Sequence, residues 1–472
     1  MGKRISAFTD DVLGTMDAVA IAEAIKLGKI SAAEATEAAI ARAEKVNGDL
    51  NAIVIKTYDS ARKHTHTKLT GDLAGVPTFI KDNDNIKGLP TQFGTGSYVS
   101  KIATKNSQYV NQFLSTGVVS LGKTTLPEFG LICSTENPAW GITRNPWDTD
   151  FTTGGSSSGS AAMVASGVVP IATANDGAGS IRIPATCCGL VGLKPSRHRI
   201  RSVDGAALMP MSIVYQGVLT RTVRDTAAFY AAAEKHLLNK KLPELGLVTG
   251  PNKQRLRIAF FDNIPAGKTG HQDEDTNRVY NETAKRLSAL GHHVDQLPFP
   301  IEIDDMTDHF LTYYGFFAFM LTDFSRLLFG AKVNKAQLEP FTLGLAQMFK
   351  DNKFKMRNGL KVLRQTAARA EALLGDYDVI MTPVVSHKVP RIGFFSVDLP
   401  YNEITKRAVE FSSYTAAQNI SGSPAIAVPS GTSSDGLPIG MQFVAPYGHD
   451  RRLIELAFEL EEAYPWKFVY NA

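Results

Sequence analysis

Apolar residues fall at helical spacing in some stretches of the chain and in short unbroken runs in others, and the two patterns alternate from end to end. Residues 17–47 place Ala and Ile on one face and predict two helices. The second opens on Ser31-Ala32-Ala33-Glu34, a capping box in which the serine accepts an amide bond and the glutamate reaches back, and its pattern ends near Asn47-Gly48. Apolar runs at 50–56, 76–81 and 116–121 predict strands. The run 167–175 carries a proline and predicts a buried strand. Further strands are predicted over 256–262, 293–297, 377–383, 425–429 and 440–444. Helices are predicted over 273–290 and 450–463, with a helical region rich in Phe, Leu and Met over 305–375. Alternation of this kind places the chain in the α/β class. Residues 238–254, rich in Lys, Gly and Pro, predict a loop. No linker or repeat divides the sequence, so a single domain over 1–472 is expected, with its N-terminal helices over about 1–65.

Composition narrows the picture. The chain has 472 residues, 44% apolar and 20% charged, as ordinary globular proteins do. A chain of that length buries most of its unfolded surface without staples. The formal charge of +4 comes with no basic stripe, so no nucleic-acid partner is expected. Cys133, Cys187 and Cys188 are an odd count with two neighbours adjacent. They exclude a disulfide framework and fit a reducing, cytoplasmic setting, and Cys187 and Cys188, in an apolar stretch, fit buried thiols. No Cys/His spacing suits zinc, and no metal or cofactor is expected. The start of the chain lacks the apolar core of a signal peptide, and the longest apolar stretches are too short or interrupted to span a bilayer. No membrane partner is expected.

Chemistry concentrates in two serine-bearing glycine clusters. They are Thr153-Gly154-Gly155-Ser156-Ser157-Ser158-Gly159-Ser160 and Asp176-Gly177-Ala178-Gly179-Ser180-Ile181-Arg182-Ile183-Pro184. Glycines before Ser180 permit tight turning, and successive amides in such a loop can converge on one oxygen. A plain glycine-rich turn fits the same residues. Ser156 fits equally the cap of a following helix, Gly159 to Ala165. Lys81 ends the apolar run Val76-Pro77-Thr78-Phe79-Ile80. A lysine there ordinarily reaches out to solvent. Buried, it would lose affinity for its proton and become a general base.

These segments together resemble the amidase signature family. The resemblance runs through Gly75-Val-Pro-Thr-Phe-Ile-Lys-Asp-Asn83, Leu121-Gly-Lys-Thr-Thr-Leu-Pro-Glu-Phe-Gly130, Asn145-Pro-Trp147 and both clusters. It continues through Cys188-Gly-Leu-Val-Gly-Leu-Lys-Pro195, Gly217-Val-Leu-Thr-Arg-Thr-Val-Arg-Asp225, Asn419-Ile-Ser-Gly-Ser-Pro424 and Asp435-Gly-Leu-Pro-Ile-Gly-Met-Gln442. It implies a large mixed β-sheet surrounded by α-helices, with a signature core over about 70–230. It also implies an amidohydrolase with Ser180 as nucleophile, Ser156 as bridging serine and Lys81 as base. A cis peptide between Gly155 and Ser156 is implied, as is an oxyanion hole from the amides of Gly177, Ala178, Gly179 and Ser180. Asp176 and Arg182 are expected to hold the loop. Ser158 and Ala178 depart from glycines common in the family.

The resemblance implies an acyl pocket within about 300–400, where Tyr313, Tyr314, Phe316, Phe317, Phe319 and Met320 point to a neutral aryl or medium aliphatic amide; core packing explains the same aromatics equally well. The stretch Asn175 to Pro184 is also similar to hydrolases of aminohexanoate oligomers. A small-molecule amide is the expected partner, with self-association as a homodimer left open.

Three rival readings fit parts of the same sequence. Gly117-Val118-Val119-Ser120-Leu121-Gly122-Lys123-Thr124 satisfies the P-loop pattern of nucleotide binders. Gly155-Ser156-Ser157-Ser158-Gly159 satisfies the nucleophile-elbow pattern, with Ser157 as nucleophile. The amidase subunit of a tRNA-dependent amidotransferase would share the chemistry and differ in partners, although Phe411 to Asn419 resembles stand-alone amidases. His64, His66, His292 and His293 are expected at the surface.

Overall fold

Eleven strands join into one mixed sheet. The computed structural model describes residues 2–206, 209–262, 264–266, 270–299 and 303–471, with the side chains of 303–305 left out. In chain order the strands are β1 Ile53–Lys56, β2 Pro77–Lys81, β3 Val119–Thr124, β4 Glu136–Asn137, β5 Gly141–Ile142, β6 Ile171–Asp176 and β7 Val191–Lys194. They continue as β8 Tyr215–Thr220, β9 Arg257–Asp262, β10 His293–Pro298, β11 Val379–Pro383, β12 Ala425–Thr432 and β13 Pro438–Val444. The sheet order is β1-β3-β2-β6-β8-β7-β12-β13-β11-β9-β10, and β4 pairs with β5 separately. Strand β2 runs parallel to both β3 and β6, and β9 parallel to both β10 and β11. The remaining pairs of the large sheet are antiparallel.

Helices cover the sheet, so its central strands are buried on both faces. Every residue of β2, β7, β8, β11 and β13 is buried. That is why β2, β11 and β13 read in the sequence as largely apolar runs instead of alternating ones. Parallel pairing of β2 with β3 and β6 brings the C-terminal end of β2, Lys81, beside the end of β6, where the Asp176 cluster begins.

Several elements differ from expectation. The second N-terminal helix, Ala32–Leu50, has its capping box but runs past Asn47-Gly48 to a left-handed Asn51 with φ 48°. Asn47 Oδ1 accepts the amides of Ala52 and Ile53, which carries the chain from the helix into β1. Strand β3 starts at Val119, after the turn at Gly117 with φ 92°. Strand β6 starts after Pro170, which has no N–H to give a ladder. The region 305–375 resolves into helices Ile303–Asp323, Ser325–Phe329, Pro340–Asn352 and Met356–Asp376. Strands β7 and β8 and the helices Gln108–Leu114, Val223–His236 and Tyr401–Phe411 were not anticipated. His64, His66 and His293 are exposed, but His292 is buried. Its Nδ1 accepts the Leu256 amide at 3.0 Å and its Nε2 lies 3.1 Å from Glu459 Oε2, so its partners lie in the protein.

Candidate active site

Lys81 closes β2, with its backbone N–H donating to Thr173 Oγ1 on β6 at 2.8 Å. Its side chain runs inward and is 1% exposed. Nζ lies 2.8 Å from Ser156 Oγ, 3.0 Å from Ser157 Oγ and 2.5 Å from Asn175 Oδ1. Burial takes the amine from its ordinary value down to about 7, against the pull of the charges on Asp84 and Asp176. An ammonium away from water is penalised, so the neutral amine is within reach near pH 7.

Ser156 and Ser157 precede the helix Ser158–Ala165, every residue of which is buried. The Gly155–Ser156 peptide is cis. A Cβ on Gly155 would come within 2.7 Å of the Cys133 backbone, so only glycine fits there. Ser157 Oγ donates to the Ser180 carbonyl at 2.5 Å. Ser158 Oγ donates to the Gly154 carbonyl at 2.8 Å and accepts from Thr135 Oγ1 at 2.8 Å. The hydroxyl that replaces a glycine hydrogen is thus spent inside the cluster, and the backbone path is kept.

Ser180 lies on the turn between β6 and the helix Arg182–Cys188. Gly179 holds that turn with φ 118°, and a Cβ there would meet Thr415 Oγ1 at 2.5 Å. Thr415 Oγ1 in turn donates to the Ala178 carbonyl at 2.6 Å. Ser180 is half-buried, and its Oγ makes no hydrogen bond among the described residues. The backbone N–H groups of Gly177, Ala178 and Ser180 are likewise unused among the described residues. The Gly179 N–H is not: it donates to Asp176 Oδ1 at 2.7 Å. This corrects the four-amide oxyanion hole to three candidate donors, because an amide committed to a carboxylate is not available to a second anion.

The turn is anchored from behind. Asp176 Oδ2 accepts Arg182 Nε, and Oδ1 accepts Arg182 Nη2, both at 2.9 Å. Asn419 Nδ2 adds a bond to Asp176 Oδ1 at 2.8 Å. Arg182 spends its other N–H groups on Gln418, Gln442, the Thr415 carbonyl and Asn419 Oδ1. Burial alone would raise the Asp176 carboxyl, but the Arg182 charge and these hydrogen bonds outweigh it and bring it to about 2.

A pocket of about 750 Å³, open to solvent, lies over Ser180. Its walls come from Gly130–Cys133, from the helices Ile303–Asp323 and Tyr401–Phe411, and from Ser412, Ser413 and Ala416, with Phe341 at one side. Among the described residues no charged side chain lines it. Of the aromatics expected there, Tyr314 does line it, and its hydroxyl donates to the Leu131 carbonyl at 3.2 Å. Tyr313 packs instead with Met211 and Ile213. Phe316 packs edge-on and Phe319 tilted against Phe349. Phe317 packs edge-on against Tyr313, and Met320 is not among the lining residues. Residues 300–302 of the expected region lie outside the described residues. The other walls, 131–133 and 405–410, had no sequence signal beyond ordinary loop and amphipathic patterns, whereas Gly130 and 411–416 fall in stretches that carried the resemblance without being read as pocket.

The P-loop rival fails on geometry. Val119–Thr124 is a strand, and the buried Lys123 Nζ is bonded to Asp82 Oδ1 at 2.5 Å and to Thr91 Oγ1 at 2.9 Å. It has no cradle to serve. The elbow rival also fails: Ser157 is fully buried, follows a loop, and gives its proton to the Ser180 carbonyl.

Comparison with known proteins follows the same line. Residues 34–454 match the model of the family described as Amidase. The chain is 44% identical to "Putative amidase AmiC" of Mycobacterium leprae over 98% of both chains. It is 32% identical to the 6-aminohexanoate-cyclic-dimer hydrolase of Paenarthrobacter ureafaciens over 95% of both. A solved structure of a 6-aminohexanoate cyclic dimer hydrolase complexed with substrate superposes with a TM-score of 0.86 at 30% identity, covering 97% of this chain and 98% of that one. A bacterial aryl acylamidase gives a TM-score of 0.83 at 26% identity, covering 96% of each chain.

Proposed function

The chain belongs to the amidase family, and on that premise we propose that it cleaves carboxamide C–N bonds through an acyl-enzyme on Ser180, with Lys81 as base and Ser156 passing protons between them. Neutral Lys81 takes a proton from Ser156 Oγ, and Ser156 takes one from Ser180 Oγ. Ser180 Oγ bonds to the amide carbon, and the oxygen becomes an anion that the N–H groups of Gly177, Ala178 and Ser180 can receive. The C–N bond then breaks, the amine leaves with the proton returned through Ser156, and the acyl group stays on Ser180. Water then bonds to the acyl carbon as its proton passes through Ser156 to Lys81, the bond to Ser180 Oγ breaks, the acid leaves, and Ser180 Oγ recovers a proton through Ser156. The observation that carries this reading is the 2.8 Å bond between a fully buried amine and Ser156, with Ser180 lining a pocket open to solvent.

The pocket walls favour an uncharged acyl group, because a carboxylate brought there would lose its hydration with no cation to meet it. Neutral aryl and medium aliphatic amides are the proposed substrates, and the relative named for the 6-aminohexanoate cyclic dimer makes that cyclic amide one to try. Three free cysteines suit a reducing compartment, so the cytoplasm is the proposed location. The test is covalent. A fluorophosphonate probe should label the peptide bearing Ser180 and fail to label Ser180→Ala. Labelling on Ser157 instead would overturn the assignment.

A further inference from the structure

We propose that Asn175 and Ser157 are positioning residues that aim the lone pair of Lys81 at Ser156. The inference rests on the reading of Lys81 as base. An ammonium carries three N–H groups, and a neutral amine carries two and one lone pair. Lys81 Nζ has three hydrogen-bond neighbours, Ser156 Oγ, Ser157 Oγ and Asn175 Oδ1, at 2.8, 3.0 and 2.5 Å. Two of them cannot give it a proton. The proton of Ser157 is committed to the Ser180 carbonyl at 2.5 Å, so toward Lys81 this hydroxyl only accepts. The carbonyl oxygen of Asn175 has no proton to give.

Both neighbours therefore draw an N–H from the neutral amine, and the remaining tetrahedral direction, which holds the lone pair, faces Ser156. Ser156 is the neighbour whose hydroxyl can reverse. When its proton moves to Nζ, one O–H bond breaks and one N–H bond forms. The resulting ammonium then has three N–H groups for three acceptors, and Ser156 recovers a proton from Ser180. Nothing but the Ser156 bond changes direction. Without Asn175 and Ser157 the amine could turn about its Cε–Nζ bond and present an N–H to Ser156, which is the wrong polarity for a base. Ser157 also ties the amine to the nucleophile, since one hydroxyl bridges Nζ and the Ser180 carbonyl.

Few charged groups surround the amine, and Asn175→Thr, Asn175→Val and Ser157→Ala leave them unchanged. Asp84, after β2, and Asp176, at the end of β6, are the carboxylates whose charge reaches it. The helix Ser158–Ala165 brings none, and Lys123 of β3 is paired with Asp82. The experiment measures kcat and KM on a neutral anilide across pH for the full chain and five variants. Asn175→Asp puts an acceptor with a negative charge at the same place, and the acid limb of the rate profile should move up by about 1–3 pH units. Asn175→Thr keeps an acceptor oxygen, whereas the near-isosteric Asn175→Val has none. Threonine should retain at least tenfold more kcat than valine, with KM alike. Ser157→Ala should lower kcat at least tenfold with KM within about twofold, and it reads the second acceptor independently if position 175 tolerates no change. An unmoved limb in Asn175→Asp, or equal kcat in the Thr and Val variants, would overturn the proposal, as would an undiminished Ser157→Ala. Lys81→Met separates the two levels: if that variant stays active, the base assignment itself fails. If it is dead while the position-175 variants behave like wild type, only the positioning role fails.

Discussion

Asp176 and Arg182 face each other behind the Ser180 turn with no exposed surface on either side chain, joined by two bonds of 2.9 Å. The pair holds the turn at both ends, since Asp176 also takes the Gly179 and Ile181 amides. Removing one member of a buried pair leaves the other charge without water or partner. Arg182→Met should therefore cost about 3–5 kcal/mol in urea unfolding, and the folded fraction should be nearly inactive because the turn loses its anchor. An unchanged midpoint with full activity would show that the pair does not hold the turn.

Acyl preference follows from the walls of the pocket. Each buried methylene is worth about 0.8 kcal/mol, close to fourfold in binding. In a series of p-nitroanilides, kcat/KM should climb from acetyl through butyryl to hexanoyl. Succinyl, which carries a carboxylate of similar length to butyryl, should fall at least about tenfold below it. A preference for succinyl would place a cation in the pocket, contrary to the lining described here.

Glu339 gives a stability prediction with a definite sign. Burial first, and then the charge of Glu128, raises its carboxyl to about 9. Glu339 N donates to Glu128 Oε2 at 2.9 Å, and Asn137 Nδ2 to Glu339 Oε1 at 3.2 Å. With the folded value above the unfolded one, its contribution is complete below the ordinary 4.5. It declines as pH rises toward about 9. Glu339→Gln keeps the acceptor for Asn137 and cannot ionise. The variant should match wild type near pH 5 and exceed it by more than about 1 kcal/mol at pH 8.5 in urea unfolding. A gap that does not widen with pH would contradict the assignment.

Much of the fold was legible because buried strands such as β2, β11 and β13 leave unbroken apolar runs, and because Ser31 and Glu34 spell out a cap. Strands β7 and β8 were not, since Gly192 and Gly217 interrupt short runs whose stability comes from neighbours distant in sequence. At the site, Lys81 and Ser156 fall into contact as the motifs imply. Asn175 was passed over because its partner is set by the β2–β6 pairing, which no local pattern encodes. The Gly179 amide was misplaced for a related reason: a glycine-rich run announces free amides but not which of them a buried carboxylate has already taken. The aromatics of Ile303–Asp323 show the limit of composition, because Tyr314 faces the pocket while its neighbour Tyr313 packs on Met211.

The central claim is that Lys81 works as an uncharged amine. Its value of about 7 sets the sign: below it the amine is an ammonium with no lone pair, and kcat/KM on a neutral anilide should fall about tenfold for each pH unit. Comparing the pH–rate profile of wild type with that of Lys81→Met is the most direct measurement. The account predicts a wild-type acid limb near pH 7, a variant slower by about 10²–10⁴-fold above it, and no such limb in the variant. A variant that cleaves the anilide at the wild-type rate at neutral pH, or that keeps the same limb, would contradict it.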